Sequence, residues 1–193
     1  MKRQHQIVLI AATVAFSWLA MQAVHEFGHI AAATTTGGRV EQVVLHPAAI
    51  SYTRLSQNPH PQFVAWMGPI VGSLLPLAAA LVARRLLYRG WYLVQFFAGF
   101  CLIANGAYLA FGSFGRIGDA GELLDHGAPA WLLWLFGVIT IPIGLWMWDG
   151  LGPHFGLGPN RGQVDRTAAY VMLVALVVLV VLEVSFSSAV AGP

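Results

Sequence analysis

Charged side chains are scarce in this chain of 193 residues. Asp, Glu, Lys and Arg together make up 9%, against roughly 25% in an ordinary soluble domain. Cysteine is almost absent too. The single Cys101 excludes an intrachain disulfide and a cysteine-rich zinc site, so any metal bound here must be held by histidine and carboxylate. The basic residues form no continuous stripe, and the net charge of +2 gives no sign of a nucleic-acid partner. What is plentiful is apolar surface: 58% of residues are hydrophobic, and the mean hydropathy is +0.69. This composition belongs to an integral membrane protein. The chain is too short for several soluble domains beside its apolar segments, so residues 1–193 are expected to form one transmembrane domain.

Five stretches can cross about 30 Å of hydrocarbon, which takes about 20 helical residues. They run roughly from Ile7 to Ala33, Phe63 to Val82, Trp91 to Phe111, Ala130 to Trp148 and Ala168 to Ala191. The expected fold is therefore all-α and polytopic, with a core over 7–125 and two additional spans at 130–148 and 168–191. The first stretch has features of a signal peptide, with Lys2 and Arg3 before an apolar core and small residues around Leu19 to Ala23. Apolar character resumes from Ile30 to Ala33, which favours a retained helix. Placing the N-terminus in the cytoplasm leaves Lys2, Arg3, Arg84, Arg85, Arg89, Arg161 and Arg166 inside and Arg39, Arg54 and Arg116 outside, the distribution that basic residues prefer. The expected location is a plasma (inner) membrane.

Within the first span stands His25-Glu26-Phe27-Gly28-His29. Residues four apart share a helix face, so both imidazoles can close on one zinc ion. Glu26 then lies where a general base takes a proton from water. Three ionisable groups inside five residues of a membrane segment are costly to bury and mark a site. A catalytic zinc needs a third protein ligand. The first and third spans run in the same direction, so their C-terminal ends reach the same leaflet. Just beyond the third lies Gly115 to Leu124, with Asp119 as the leading ligand and Glu122, Asp125 and His126 as substitutes; a plain polar surface loop is the competing reading. Between the first two spans, Val40 to Leu45 and Ala49 to Tyr52 flank a His46-Pro47 break. They read as a short hairpin, with a surface loop as the equal alternative.

With these residues in place, the first 125 or so resemble the site-2 protease family of intramembrane zinc metalloproteases, in a minimal form without a PDZ domain. His25-Glu26-Phe27-Gly28-His29 is similar to the family's HExGH motif. Gly68-Pro69-Ile70-Val71-Gly72 is similar to its Gly-Pro-x-x-Asn element, with Gly72 where the Asn belongs. Asp119 is similar to the ligand in its third-helix Asp-Gly motif, although Asn105 stands fourteen residues earlier, further than the common pattern. The resemblance implies Zn2+ on His25, His29 and Asp119, water activation by Glu26, and substrate-binding roles for Asn105, Gly68 and Pro69. It also implies that the hairpin is re-entrant and offers a strand edge to an unwound peptide.

The expected function is that of an intramembrane zinc metalloendopeptidase, hydrolysing peptide bonds in or near transmembrane segments of membrane proteins and surrounded by lipid. Two other readings compete: a catalytically silent relative that binds transmembrane partners, and a small metal transporter. A transporter places polar groups in several spans near mid-membrane. Apart from the HExxH cluster, Asn105 and Glu183, these spans hold almost none.

Overall fold

The computed structural model describes residues 2–86 and 89–190. The elements in chain order are α1 (Lys2–Thr35), β1 (Arg39–Val44), β2 (Tyr52–Gln57), α2 (Pro61–Leu86), α3 (Trp91–Gly115), α4 (Gly118–Asp125), α5 (Ala130–Trp148) and α6 (Arg166–Val190), with two short 3-10 turns at Gly152–Phe155 and Gly158–Asn160. The molecule is an all-α polytopic fold with one small sheet. Among the described residues five helices, α1, α2, α3, α5 and α6, are long and apolar enough to cross a membrane. The first four expected spans each fall within one of them, with α5 having the expected ends, and the fifth begins within α6. The expected last residue of the fifth span, Ala191, lies outside the described residues.

Neighbours in the bundle follow the order α6, α1, α2, α3, α5, with α1 also touching α3. Small residues allow the close approaches. On α3 and α5, a Cβ at Gly99 would lie 2.9 Å from the Gly144 carbonyl oxygen, and one at Gly137 would lie 2.9 Å from that of Gly106. Such glycine seams are a membrane packing device, because lipid gives helices no hydrophobic reason to associate. The outer faces carry exposed Leu135, Val138 and Ile139 on α5, and Val174, Val178 and Val181 on α6, surfaces suited to acyl chains.

The hairpin is present, with a later second strand than the alternation suggests. β2 begins at Tyr52 and runs to Gln57, while residues 45–51 form the connection, which contains an Ala49 N–H bond to the His46 carbonyl. The Ser51 N–H donates to Gln22 Oε1 of α1 instead of to a ladder partner, and pairing starts at Tyr52. Val40 faces Leu55 and Val43 faces Thr53 in antiparallel register, with an irregularity around Glu41. Val40 and Leu55 pack against Ala32, Ala33 and Val64, which seats the hairpin on α1 and α2.

Residues 118–125 form α4, where a polar loop was the competing reading. Its glycines make it a poor helix in isolation, and packing supplies the stability. Ala120 and Leu123 are fully buried against Ala65 of α2, Leu109 of α3 and Leu133 of α5. That leaves Asp119 and Glu122 on the side facing a cleft.

Candidate metal centre

His25, Glu26 and His29 are all buried in α1. Around the histidines the chain makes room. A Cβ on Gly68 would stand 2.9 Å from His25 Nε2 and closer still to the ring of His29, so only glycine admits both imidazoles beside α2. Gly28 is constrained in the same contact, where an added Cβ would run into the Met67 carbonyl.

Each imidazole is turned by a partner on its far nitrogen. His29 Nδ1 lies 2.8 Å from the Val64 carbonyl oxygen, which can only accept, so the proton sits on Nδ1. His25 Nδ1 donates to Asn105 Oδ1 at 2.7 Å, and the Asn105 amide is fixed in that orientation because its Nδ2 donates to the Cys101 carbonyl at 2.9 Å. Both rings therefore present an unprotonated Nε2 in the neutral form. Those two atoms are 3.1 Å apart, and Asp119 Oδ2 lies 2.8 Å from the first and 3.2 Å from the second.

Three lone-pair atoms converging on one point need positive charge among them. Donors at zinc-ligand distance around a tetrahedral ion stand about 3.3 Å apart, close to the spacing observed. The donor set is two neutral imidazoles and one carboxylate, with the outer nitrogen of each histidine engaged by a second residue. It fits a zinc ion in chemistry and in geometry.

Asp119 enters from the first turn of α4. Gly118, just before it, has φ of +53°, and a Cβ there would collide with the Tyr108 hydroxyl. That hydroxyl accepts the Asp119 N–H at 3.1 Å, while the Tyr108 ring packs edge-on to His25 at 5.8 Å. Burial pushes the Asp119 carboxyl upward, but an imidazolium that carries a second proton on its facing Nε2 outweighs it by hydrogen bond and charge and holds the group well below the usual carboxylate range. Glu122, one turn on, is pushed up by burial and by the charge of Asp119.

Histidines, Glu26 and Asp119 open onto a cleft of about 830 Å³, walled by Ile50 to Leu55 of the hairpin on one side and by Tyr108, Ile117, Glu122 and His126 on the other. Among the substitute ligands, Glu122 and His126 line this cleft without joining the triad, and Asp125 pairs with Arg116 at the surface. Asn105 lies behind the His25 ring and Gly68 lies against the Nε2 atoms of both histidines; neither they nor Pro69 line the cleft. Glu183 is buried in α6, away from the cleft. Sequence reasoning missed Tyr108, Ser51 and Thr53. The hairpin hydroxyls contact Glu26: Ser51 Oγ donates to Oε1 at 2.8 Å and Thr53 Oγ1 to Oε2 at 2.6 Å. Their alternation along one limb of the hairpin was the available signal.

Fold and site together define a class: a polytopic helical membrane protein with an HExxH helix and a buried His-His-Asp cluster. A sequence model of the Peptidase M50B-like family matches residues 5–114, and the chain belongs to that family. The match takes in the HExxH helix and Asn105 and ends before Asp119. No curated protein and no solved structure matches the chain. Membership makes it an integral membrane protein related to intramembrane proteases, in a family of zinc metalloproteases that act on membrane proteins.

Proposed function

We propose that this protein is an active intramembrane zinc metalloendopeptidase that cleaves peptide bonds in or near transmembrane segments. The observation that carries the reading is the convergence of His25 Nε2, His29 Nε2 and Asp119 Oδ2 within 3.2 Å of one another, next to Glu26 and open to a cleft. His25, His29 and Asp119 would hold the ion, which when bound supplies Lewis acidity toward a peptide carbonyl and toward water.

The chain's own groups do the rest. Glu26 takes a proton from the attacking water and afterwards delivers it to the departing amine. The cleft walls keep the reacting carbonyl out of lipid and in contact with the polar groups at its floor. A helical substrate must unwind before its carbonyls are free, and β2 offers a place for the unwound strand. β1 takes one edge of β2 in a sheet of two strands, and β2 lines the cleft. An extended peptide can add there through backbone hydrogen bonds. The N-terminus is assigned to the cytoplasm on the distribution of basic residues, and residues 1–193 to one domain, with α5 and α6 flanking the core.

The test uses the purified full chain with a quenched fluorescent probe: a leucine-rich transmembrane peptide interrupted by glycine and proline. Glu26→Gln should abolish cleavage while retaining zinc by elemental analysis, and His25→Ala should lose both. Undiminished cleavage in Glu26→Gln would overturn the mechanism. Zinc retention without cleavage in the unaltered chain would favour the silent binding relative.

A further inference from the structure

Glu26 is tied on both oxygens, and both donors come from outside its helix. Ser51 Oγ and Thr53 Oγ1 each take one oxygen, at 2.8 and 2.6 Å. A third bond strengthens the attachment: the Ser51 N–H donates at 3.0 Å to Oε1 of Gln22, one turn before Glu26 on α1. The rising limb of the hairpin is thus fastened to a single stripe of α1. The far end of the hairpin is held separately, by Val40 and Leu55 against Ala32, Ala33 and Val64.

The arrangement suits a base in two ways. A glutamate side chain has several rotatable bonds, and fixing it has an entropic cost that two hydroxyl bonds offset. A carboxylate has about four lone-pair sites, so one bond per oxygen leaves each able to accept a proton. On an extended limb side chains alternate between faces, so Ser51 and Thr53 point toward α1 together. The backbone carrying them is the wall of the cleft.

We propose that Ser51 and Thr53 are positioning residues that lock the general base to the hairpin, so that the cleft-facing strand and Glu26 move as one unit and a peptide seated on the strand sets the aim of the base. This inference rests on the reading of Glu26 as the base, but the lock itself is measurable without cleavage.

Hydrogen exchange of the hairpin amides over 50–57 is followed in the full chain in detergent micelles. Thr53→Val keeps the shape and removes the donor. It should speed exchange across the hairpin about tenfold or more, as expected for losing a hydrogen bond to a charged group, with α3 and α5 unchanged. Thr53→Ser, which keeps the hydroxyl, should restore most of the protection. In a Glu26→Ala background, where the acceptor is gone, Thr53→Val should add nothing. Hairpin exchange within twofold of the unaltered chain in Thr53→Val, or a full effect persisting in Glu26→Ala, would overturn the lock. So would Thr53→Ser behaving like Thr53→Val.

Cleavage of the fluorescent probe then addresses aim. Thr53→Val should lower kcat about tenfold with KM nearly unchanged, and Thr53→Ser should recover most of the rate. A change confined to KM would show that the hydroxyl serves peptide binding and would sink the positioning role. If the unaltered chain cleaves nothing, the proposed activity fails while the exchange experiment still decides the lock.

Discussion

Asn105 shows how much one side chain can carry when its surroundings leave it no alternative. Its amide faces His25 on one side and the Cys101 carbonyl on the other, and Gly72 leaves the space it occupies: a Cβ there would lie 2.9 Å from Nδ2. Replacing Asn105 with Leu preserves the approximate volume and removes the acceptor that orients the imidazole. Loss of such an outer partner typically costs 10- to 100-fold in metal affinity. A zinc titration of Asn105→Leu should show weakening in that range. Affinity equal to that of the unaltered chain would mean that His25 needs no orienting partner. The histidine pair was legible in sequence because a helix converts a spacing of four into a shared face. The partner was not legible as a partner, since residues 25 and 105 meet only once α1 and α3 have packed.

At the level of elements, α4 depends on the turn that delivers it. Arg116 and Gly118 both have positive φ, at +52° and +53°, and the turn swings the chain so that Asp119 returns over α1. Gly118→Ala adds a left-handed penalty of about 1–2 kcal/mol and a collision with the Tyr108 hydroxyl. It should weaken zinc binding about tenfold by withdrawing Asp119. Adding Tyr108→Phe should recover only a small part of the loss, because the hydroxyl contact goes while the ring carbon 2.9 Å from the added Cβ and the backbone penalty stay and the Asp119 N–H loses its acceptor. Equal affinity for Gly118→Ala and the unaltered chain would show that α4 is not held by this turn. The long helices were readable from apolar runs of span length, and α5 was found with both ends in place. α4 was not, because its apolar spacing runs for only eight residues, two of them the weak helix formers Gly118 and Gly121, and its order comes from burying Ala120 and Leu123. The hairpin was legible in kind but misplaced in its second strand, because the Ser51 N–H bonds to Gln22 of α1 and pairing begins only at Tyr52.

For the molecule as a whole, the cluster joins parts far apart in sequence: two of the proposed ligands come from α1 and one from α4, with Asn105 of α3 and Val64 of α2 behind them. A bound ion stabilises any state that assembles its ligands over one that does not. Stripping the metal with a chelator should lower the thermal midpoint, by about 5–10 °C relative to protein holding zinc at a hundredfold excess over its Kd. His25→Ala should show no such dependence. A midpoint indifferent to chelator in the unaltered chain would mean that the ligands are aligned by packing alone. The site's dependence on several helices also explains why the sequence makes Asp119 a leading ligand while leaving Glu122, Asp125 and His126 open as substitutes, and does not reveal Tyr108 beneath it. The hairpin has a different standing, since it leaves α1 after Thr35 and rejoins the bundle at Pro61, so it behaves as a cassette between two fixed anchor points. Exchanging residues 39–57 for a hairpin of other sequence offers a way to redirect which peptides are admitted while the ion's ligands stay untouched, and any such graft has to carry hydroxyls at the two places that greet the glutamate.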